Sequence, residues 1–370
     1  MKIAIDIKGA DKEKTGKGWY TYNMVDQLLK LDNFNQYLLY TNNKKNPFPD
    51  AKNAQIKCVE DESVKWHYKV LKDLQMEKVD LFFAPTSYII PAFAPKSLNV
   101  IITVHDLVAF LFPATHKAKA TIIERLTLKK ALKKAKKVFV VSENTRKDLL
   151  KRFDYPQQNI HLTPCAPSDF FRTKVSLEDL EAFIAKMKLP EKFILAVGTL
   201  EPRKNFATLI KSFVSLQKRH PDYKLVIVGK KGWRFKEIEA SIKQYKMEKE
   251  VIFPGYVKED ELQKFYGLAK VFIFPSLYEG FGIPPLEAMA SGCPVVSSNV
   301  ASLPEVIGDA GLLIDPKNSY KMAEAVADLI DNDHVRNTMI ERGYRQAEKF
   351  SWEKSAQVAL EVFQTIKKGI

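Results

Sequence analysis

Two glutamates, Glu279 and Glu287, are separated by seven residues in the stretch SLYEGFGIPPLEAMASGCPVV, which runs from Ser276 to Val296. Between them lie two glycines and a Pro-Pro pair. Pro284 and Pro285 are tolerated only in the first turn of a helix, so PPLEAMASG starts a helix there and Gly292 ends it. This reading leaves Glu279 in the preceding loop and puts Glu287 in the first helical turn. Gly280 and Gly282 let backbone approach a ligand closely, and N–H groups at a helix start attract phosphate by hydrogen bonding and through the helix dipole. Carboxylates repel phosphate but accept hydrogen bonds from hydroxyls. One acid on each side of an anion site suits a molecule with phosphates in the middle and hydroxyls at both ends, which describes a sugar nucleotide. In isolation such a pair more often serves as a dipole partner and a solvated charge.

The elements around the pair give it a position. VFIFPS reads as a buried strand, so LYEGFG is the loop leaving its C-terminal end, where open α/β sheets bind ligands. Apolar runs of this kind alternate with helical patterns along the chain. The first series is KIAIDI, QYLLYT, VDLFFAP, NVIITV, KVFVV and NIHLTP; the second is KFILAVG, KLVIVG, VIFPGY, VFIFPS, PVVSS and GLLID. The pattern predicts an α/β fold of parallel sheets covered by helices. With 370 residues, 46% of them hydrophobic, the chain can fill two cores. A boundary near residues 168 to 188 divides it into domains 1–170 and 188–350. The final helix, 351–370, has no strand after it and is expected to pack back on the first domain.

Composition narrows the function classes. The formal net charge is +14, which leaves nucleic acid, sugar phosphates and anionic lipid headgroups as partners. No aromatic-basic RNA-binding signature or zinc-finger spacing accompanies the charge, so nucleic acid is not expected as a partner. Cys58, Cys165 and Cys293 have neither disulfide nor metal spacing and fit a reducing cytoplasm. No secretory signal or run of roughly 20 apolar residues is visible.

EGFGIPPLEAMASGCPVVSS resembles the E-x7-E signature of the retaining glycosyltransferases of family 4, also called group 1. VHDL, VGTLEPRKNFATLIKSF, LVIVGKKGW, VIFPGYV and SLPEVIGDAGLLIDP resemble further family segments in the expected order. The resemblance implies the GT-B fold, two Rossmann-like domains facing across a cleft. It also implies retaining, metal-independent transfer of a hexose of mannose or glucose type from a nucleoside diphosphate sugar to a hydroxyl of a glycan or lipid-linked glycan. The sugar nucleotide is a substrate and no cofactor is expected. An epimerase or hydrolase acting on sugar nucleotides remains the alternative on the same fold.

By the same resemblance Glu279 contacts donor-sugar hydroxyls, and the backbone of Gly280, Phe281 and Gly282 holds the sugar and pyrophosphate. Glu287 accepts the ribose hydroxyls, and Arg203 and Lys204 in TLEPRKN neutralise the diphosphate leaving group. No metal-binding Asp-x-Asp is evident, so fixed cations must stabilise that charge. His105 in VHDL is placed near the donor sugar. Gly16 and Gly18 in TGKGWYTYNM resemble the family's N-terminal glycine loop, although Thr15 stands where that pattern has its first glycine. Asp106 and Ser142 read as loop and cap residues.

One further segment, THKAKATIIERLTLKKALKKAKK (residues 115 to 137), reads as a single basic helix. Ile122, Ile123, Leu126, Leu128, Ala131 and Leu132 form an apolar stripe suited to packing. Lys117, Lys119, Arg125, Lys129, Lys130, Lys133, Lys134, Lys136 and Lys137 make the rest one-signed. Either the lysine face is simply solvated, or it meets an anionic membrane surface.

Overall fold

The computed structural model describes residues 1–10, 16–113 and 118–367. It divides into two compact units. The first comprises Met1–Cys165 together with the chain from Ser351 onward, and the second is Ala166–Phe350.

In the first unit the strands are β1 (Lys2–Asp6), β2 (Gln36–Thr41), β3 (Ala54–Cys58), β4 (Leu81–Ala84), β5 (Asn99–Val104), β6 (Lys137–Val140) and β7 (Ile160–Leu162). Among the described residues they form one sheet in the order β3-β2-β1-β4-β5-β6-β7, every pairing parallel. Its helices are α1 (Gly16–Leu31), α2 (Lys65–Met76), α3 (Ile89–Phe93), α4 (Val108–Leu111), α5 (Ala118–Leu132) and α6 (Glu143–Arg152). Strand order reverses between β1 and β4, so loops leaving these strands flank a crevice position. β3 has no counterpart among the sequence-predicted strands. It is a mostly half-exposed edge strand whose residues AQIKC include one large aliphatic side chain, too few for a hydrophobic signal.

The second unit holds β8 (Phe193–Val197), β9 (Lys224–Val228), β10 (Val251–Gly255), β11 (Val271–Phe274), β12 (Val295–Ser298) and β13 (Gly311–Ile314). The order is β10-β9-β8-β11-β12-β13, again parallel, with its reversal between β8 and β11. Its helices are α7 (Leu177–Met187), α8 (Phe206–Arg219), α9 (Phe235–Gln244), α10 (Glu259–Leu268), α11 (Ile283–Ala290), α12 (Leu303–Ile307), α13 (Ser319–Asp331) and α14 (Asp333–Glu348). All six strands of the second series coincide with apolar runs in the sequence. The unit begins earlier than the expected boundary because α7 is part of it. Phe183 of α7 meets Phe265 of α10 edge-on at 5.2 Å, and Lys186 pairs with Glu261 at 2.9 Å.

The last helix, α15 (Trp352–Lys367), returns to the first unit and lies along α1. Trp352 packs on Tyr20, Phe363 on Phe83, and the Ser355 hydroxyl donates to the Pro164 carbonyl at 2.7 Å. No helix among the described residues is long and apolar enough to cross a membrane.

The basic segment differs from its expectation in two ways. Residues 115 to 117, including Lys117, lie outside the described residues, and α5 ends at Leu132, with Lys137 already opening β6. The expected six-residue packing stripe is also only half buried. Leu128, Ala131 and Leu132 face the core while Ile122, Ile123 and Leu126 are exposed. Arg125 donates to the Ala109 carbonyl, Lys134 to the Ala94 carbonyl and Lys137 to Asn159, so these three cations are tied to their own unit.

Candidate active site

The two loops that flank the reversal of the second sheet carry most of the candidate residues. β8 runs into a short 3-10 turn, Pro202–Lys204, and β11 runs into the loop before α11. Strand pairing of β8 with β11 places both loops at the same sheet edge. Glu279 bridges them. Its carboxylate accepts from Lys204 Nζ at 2.7 Å and pairs with Arg203 Nη1 at 2.7 Å. Arg203 also donates to the Tyr278 carbonyl at 2.8 Å and to Glu201 at 2.9 Å. Burial alone would raise the Glu279 carboxyl; the charges of Arg203 and Lys204 outweigh it and hold the group at about 2. For Lys204 burial pulls the ammonium down, against the attraction of Glu279.

Glu201 and Asn205 are absent from the sequence-derived set and both shape this turn. Asn205 adopts the left-handed region with φ 61°, which asparagine tolerates better than most residues. Its amide donates to the Pro275 carbonyl at 3.0 Å and to the Pro316 carbonyl at 2.8 Å, tying the turn to the loops after β11 and β13. Crowding at the strand ends explains a glycine as well. A Cβ on Gly229, at the end of β9, would fall 2.0 Å from the Gly198 carbonyl oxygen, so the two loops close only without a side chain there.

The loop of Gly280, Phe281 and Gly282 is fixed from behind. The buried Ser302 hydroxyl lies 2.9 Å from the Glu279 carbonyl and 2.7 Å from that of Phe281. Gly282 caps α11 with φ 115°, and a Cβ there would meet Leu303 Cδ2 at 2.8 Å. The helix starts at Ile283, so Pro284 and Pro285 occupy its second and third positions. Neither carries an N–H, and the backbone donors at this end are those of loop residues 281–283 rather than a full helical turn.

Glu287 is correspondingly in the second turn of α11, not the first. It is buried and accepts from the Tyr266 hydroxyl at 3.0 Å. Burial pushes its carboxyl up to about 8, against the lowering effect of that hydrogen bond. The two glutamates that look alike in sequence are therefore opposite in charge tendency: Glu279 is held ionised, and Glu287 tends to keep its proton.

His105, Gly16 and Gly18 belong to the other unit. His105 follows β5, and its Nε2 lies 2.6 Å from the Pro85 carbonyl at the end of β4. A carbonyl accepts, so Nε2 carries the hydrogen and Nδ1 is the acceptor face of the ring. Burial, with the nearby charge of Lys17, lowers the imidazole to about 4 and keeps it neutral. Tyr20 packs edge-on against it with centroids 4.7 Å apart. Gly16 and Gly18 lie inside the first turn of α1 rather than ahead of it, and Gly18 is buried with its Cα facing Gly9. Thr15 lies outside the described residues. Ser142 caps α6 through the Thr145 N–H at 3.0 Å and Asp106 accepts from the Val108 N–H at 3.1 Å, the structural roles expected of them.

The sequence does contain one literal Asp-x-Asp, at Asp331 and Asp333. It sits where α13 meets α14, and its acids pair with Arg219, His220 and Arg336. No cluster of three or more metal-ligating side chains occurs among the described residues.

Comparison with known proteins decides the family. The sequence model for glycosyl transferases group 1 matches residues 179–346, and that for glycosyltransferase family 4 matches residues 16–166. O-antigen chain mannosyltransferase B of Escherichia coli is 32% identical over 269 residues, 72% of this chain and 71% of that protein. The chain belongs to the family 4, group 1 glycosyltransferases. A second relative, the serotype-specific mannosyltransferase WbdA of Escherichia coli, is 29% identical over 266 residues; these are 70% of this chain but 32% of that longer protein. In structure the glycosyltransferase superposes on Anabaena Alr3699/HepE, solved with UDP and glucose, with a TM-score of 0.81 over 99% of this chain and 100% of that one. Identity there is 16%, so this likeness speaks for the GT-B fold alone.

As glycosyltransferase chemistry, the arrangement offers two cations fixed by Glu279 and two buried carboxyls of unlike charge tendency on the loop and helix after β11. Preorganised charge of this kind stabilises charge that develops during bond cleavage, in surroundings where it is stronger than in water.

Proposed function

We propose that this glycosyltransferase moves a hexose, of mannose or glucose type, from a nucleoside diphosphate sugar to a hydroxyl of a glycan or lipid-linked glycan, with retention at the anomeric carbon and without a metal. The observation that supports it is the joint engagement of Arg203 and Lys204 by Glu279. When a diphosphate takes over the two cations, Glu279 is released to accept from hydroxyls of the donor sugar. Gly280, Phe281 and Gly282 supply backbone donors to the sugar and pyrophosphate, and Glu287 takes the ribose. On the first unit, the Nδ1 face of His105 and the start of α1 at Gly16 and Gly18 are assigned to substrate recognition as well. As the bond from sugar to phosphate breaks, charge accumulates on the diphosphate, and Arg203 and Lys204 are placed to stabilise it in the way a metal does elsewhere.

The relative named as an O-antigen chain mannosyltransferase supports a polysaccharide acceptor; our reading further places the enzyme in the cytoplasm, beside a membrane. The reading assigns no cofactor and no nucleic-acid partner. A panel of nucleotide sugars, scored by diphosphate release with and without glycan acceptors, tests it. Acceptor-dependent release, an α-linked product from an α-linked donor by proton NMR, and turnover that survives a chelator are expected. Acceptor-independent release would indicate a hydrolase, a β-linkage would exclude retention, and loss of activity with chelator would require a metal.

A further inference from the structure

Helix α5 has two apolar faces. Leu128, Ala131 and Leu132 point into the first unit, whereas Ile122, Ile123 and Leu126 are 58%, 41% and 62% exposed on the opposite side. Helical periodicity brings Lys119, Lys129 and Lys130 to that same outward side, Lys133 follows in the turn just after the helix, and all four are exposed. The acid within the helix, Glu124, is half-buried on the inner side. Helix α3 packs beside α5 and adds Phe93, 58% exposed, with Lys130 Nζ 5.3 Å from its ring centroid.

Single exposed apolar side chains are ordinary on protein surfaces, but four large ones on two adjoining helices, framed by lysines and without an outward acid, form a patch of a particular kind. Lysines are long and flexible and can let the apolar side chains sink while their ammonium groups stay at the level of phosphates. A protein partner would call for shape and paired acids; a fluid anionic surface calls only for one sign of charge around an apolar centre.

We propose that the outward face of α3 and α5 is a membrane-docking surface for anionic lipid, in which Phe93, Ile122, Ile123 and Leu126 enter the headgroup–acyl boundary while Lys119, Lys129, Lys130 and Lys133 hold the phosphates. The inference rests on the reading of an enzyme that works beside a membrane. It adds insertion to charge attraction, and insertion is not screened by salt.

The test is co-sedimentation of the full chain with vesicles of phosphatidylglycerol and phosphatidylcholine, against phosphatidylcholine alone, at low and high salt. Two variants separate the contributions: Ile122→Ser with Ile123→Ser and Leu126→Ser, and Lys119→Gln with Lys129→Gln, Lys130→Gln and Lys133→Gln. Diphosphate release and thermal midpoint, measured without vesicles, report the fold and the chemistry independently. The wild type should bind anionic vesicles and keep part of that binding at high salt. The lysine variant should bind about a hundredfold more weakly at low salt, and the serine variant about tenfold more weakly, losing its remainder when salt is raised. Serine-variant binding equal to wild type at both salts would overturn insertion while leaving charge attraction in place. Equal binding to neutral vesicles would overturn the anionic requirement. Absence of wild-type binding, or a vesicle-independent dimer abolished by the serine changes, would overturn the docking surface as a whole without touching the transferase reading, which diphosphate release judges.

Discussion

Glu279 and Lys204 form a buried ion pair at 2.7 Å, and the second carboxylate oxygen meets Arg203 at the same distance. One acid thus engages both cations that a diphosphate would need, and Glu201 pairs with Arg203 as well. On the proposed reading, donor binding would be an exchange of anions rather than the filling of a positive site, and the exchange would set Glu279 loose beside the sugar.

Replacing either cation removes stabilisation of charge that grows during bond cleavage. Arg203→Ala and Lys204→Ala should each lower kcat by about 10² or more, as loss of a single donor to developing charge does elsewhere. Steady-state kinetics with a saturating acceptor measure this. Near-normal kcat in both variants would place the leaving group somewhere else.

The exchange predicts an unusual pairing of effects for Glu279→Gln. The amide keeps the shape and drops the charge, so the cations become more available to phosphate, and the nucleoside diphosphate product should bind roughly tenfold more tightly. Turnover should fall at the same time. Calorimetric titration with the diphosphate reads the first effect; an unchanged or weaker affinity means that Glu279 does not compete for Arg203 and Lys204.

Glu287 gives a pH signature. Its carboxyl stands at about 8 in the folded chain and near 4.5 ordinarily, so the native state holds the proton more tightly than the unfolded chain. Stability from this group is full below about pH 4.5 and is lost as pH rises through 8. Glu287→Gln, which cannot ionise, should match wild type near pH 4.5 and melt several degrees higher at pH 9. Melting curves across that range decide it, and parallel curves would rule out a raised carboxyl. In donor kinetics Glu287→Ala should raise KM more than it lowers kcat, since the ribose lies away from the reacting carbon.

Asn205 supports the cationic turn without belonging to the charge exchange. Asn205→Asp would turn two amide-to-carbonyl contacts into repulsions and should cost about 1–3 kcal/mol in denaturant unfolding, more than Asn205→Ala. An aspartate variant at least as stable as the alanine one would show that the two carbonyls are not what the amide is there for.

The strands of the second unit are legible because each is a compact apolar run bounded by glycine or proline. β3 is hidden because an edge strand with one covered face needs little hydrophobicity. The same contrast holds at the site. Glu279, Arg203 and Lys204 stand out in sequence through their motifs, and the structure joins the three. Asn205, Ser302 and Tyr266 act through contacts to residues distant in the chain, and a serine or asparagine carries no mark of which carbonyl it will meet. Periodicity finds the apolar positions of α5 but cannot say that the helix has two such faces. That depends on α3 and the sheet, which cover only one of them.

The return of α15 to the first unit makes the second unit an insertion within the first. During synthesis residues 166–350 are all present before Trp352 is added, whereas the first unit still lacks the helix that covers Tyr20, Phe83 and Phe139. The half of the chain that begins first is therefore finished last, and until then its α1 flank presents open aromatic surface. A released chain truncated after residue 350 should accordingly hold a protease-resistant second unit beside a first unit that a protease still cuts, and the order of maturation would run against the order of translation.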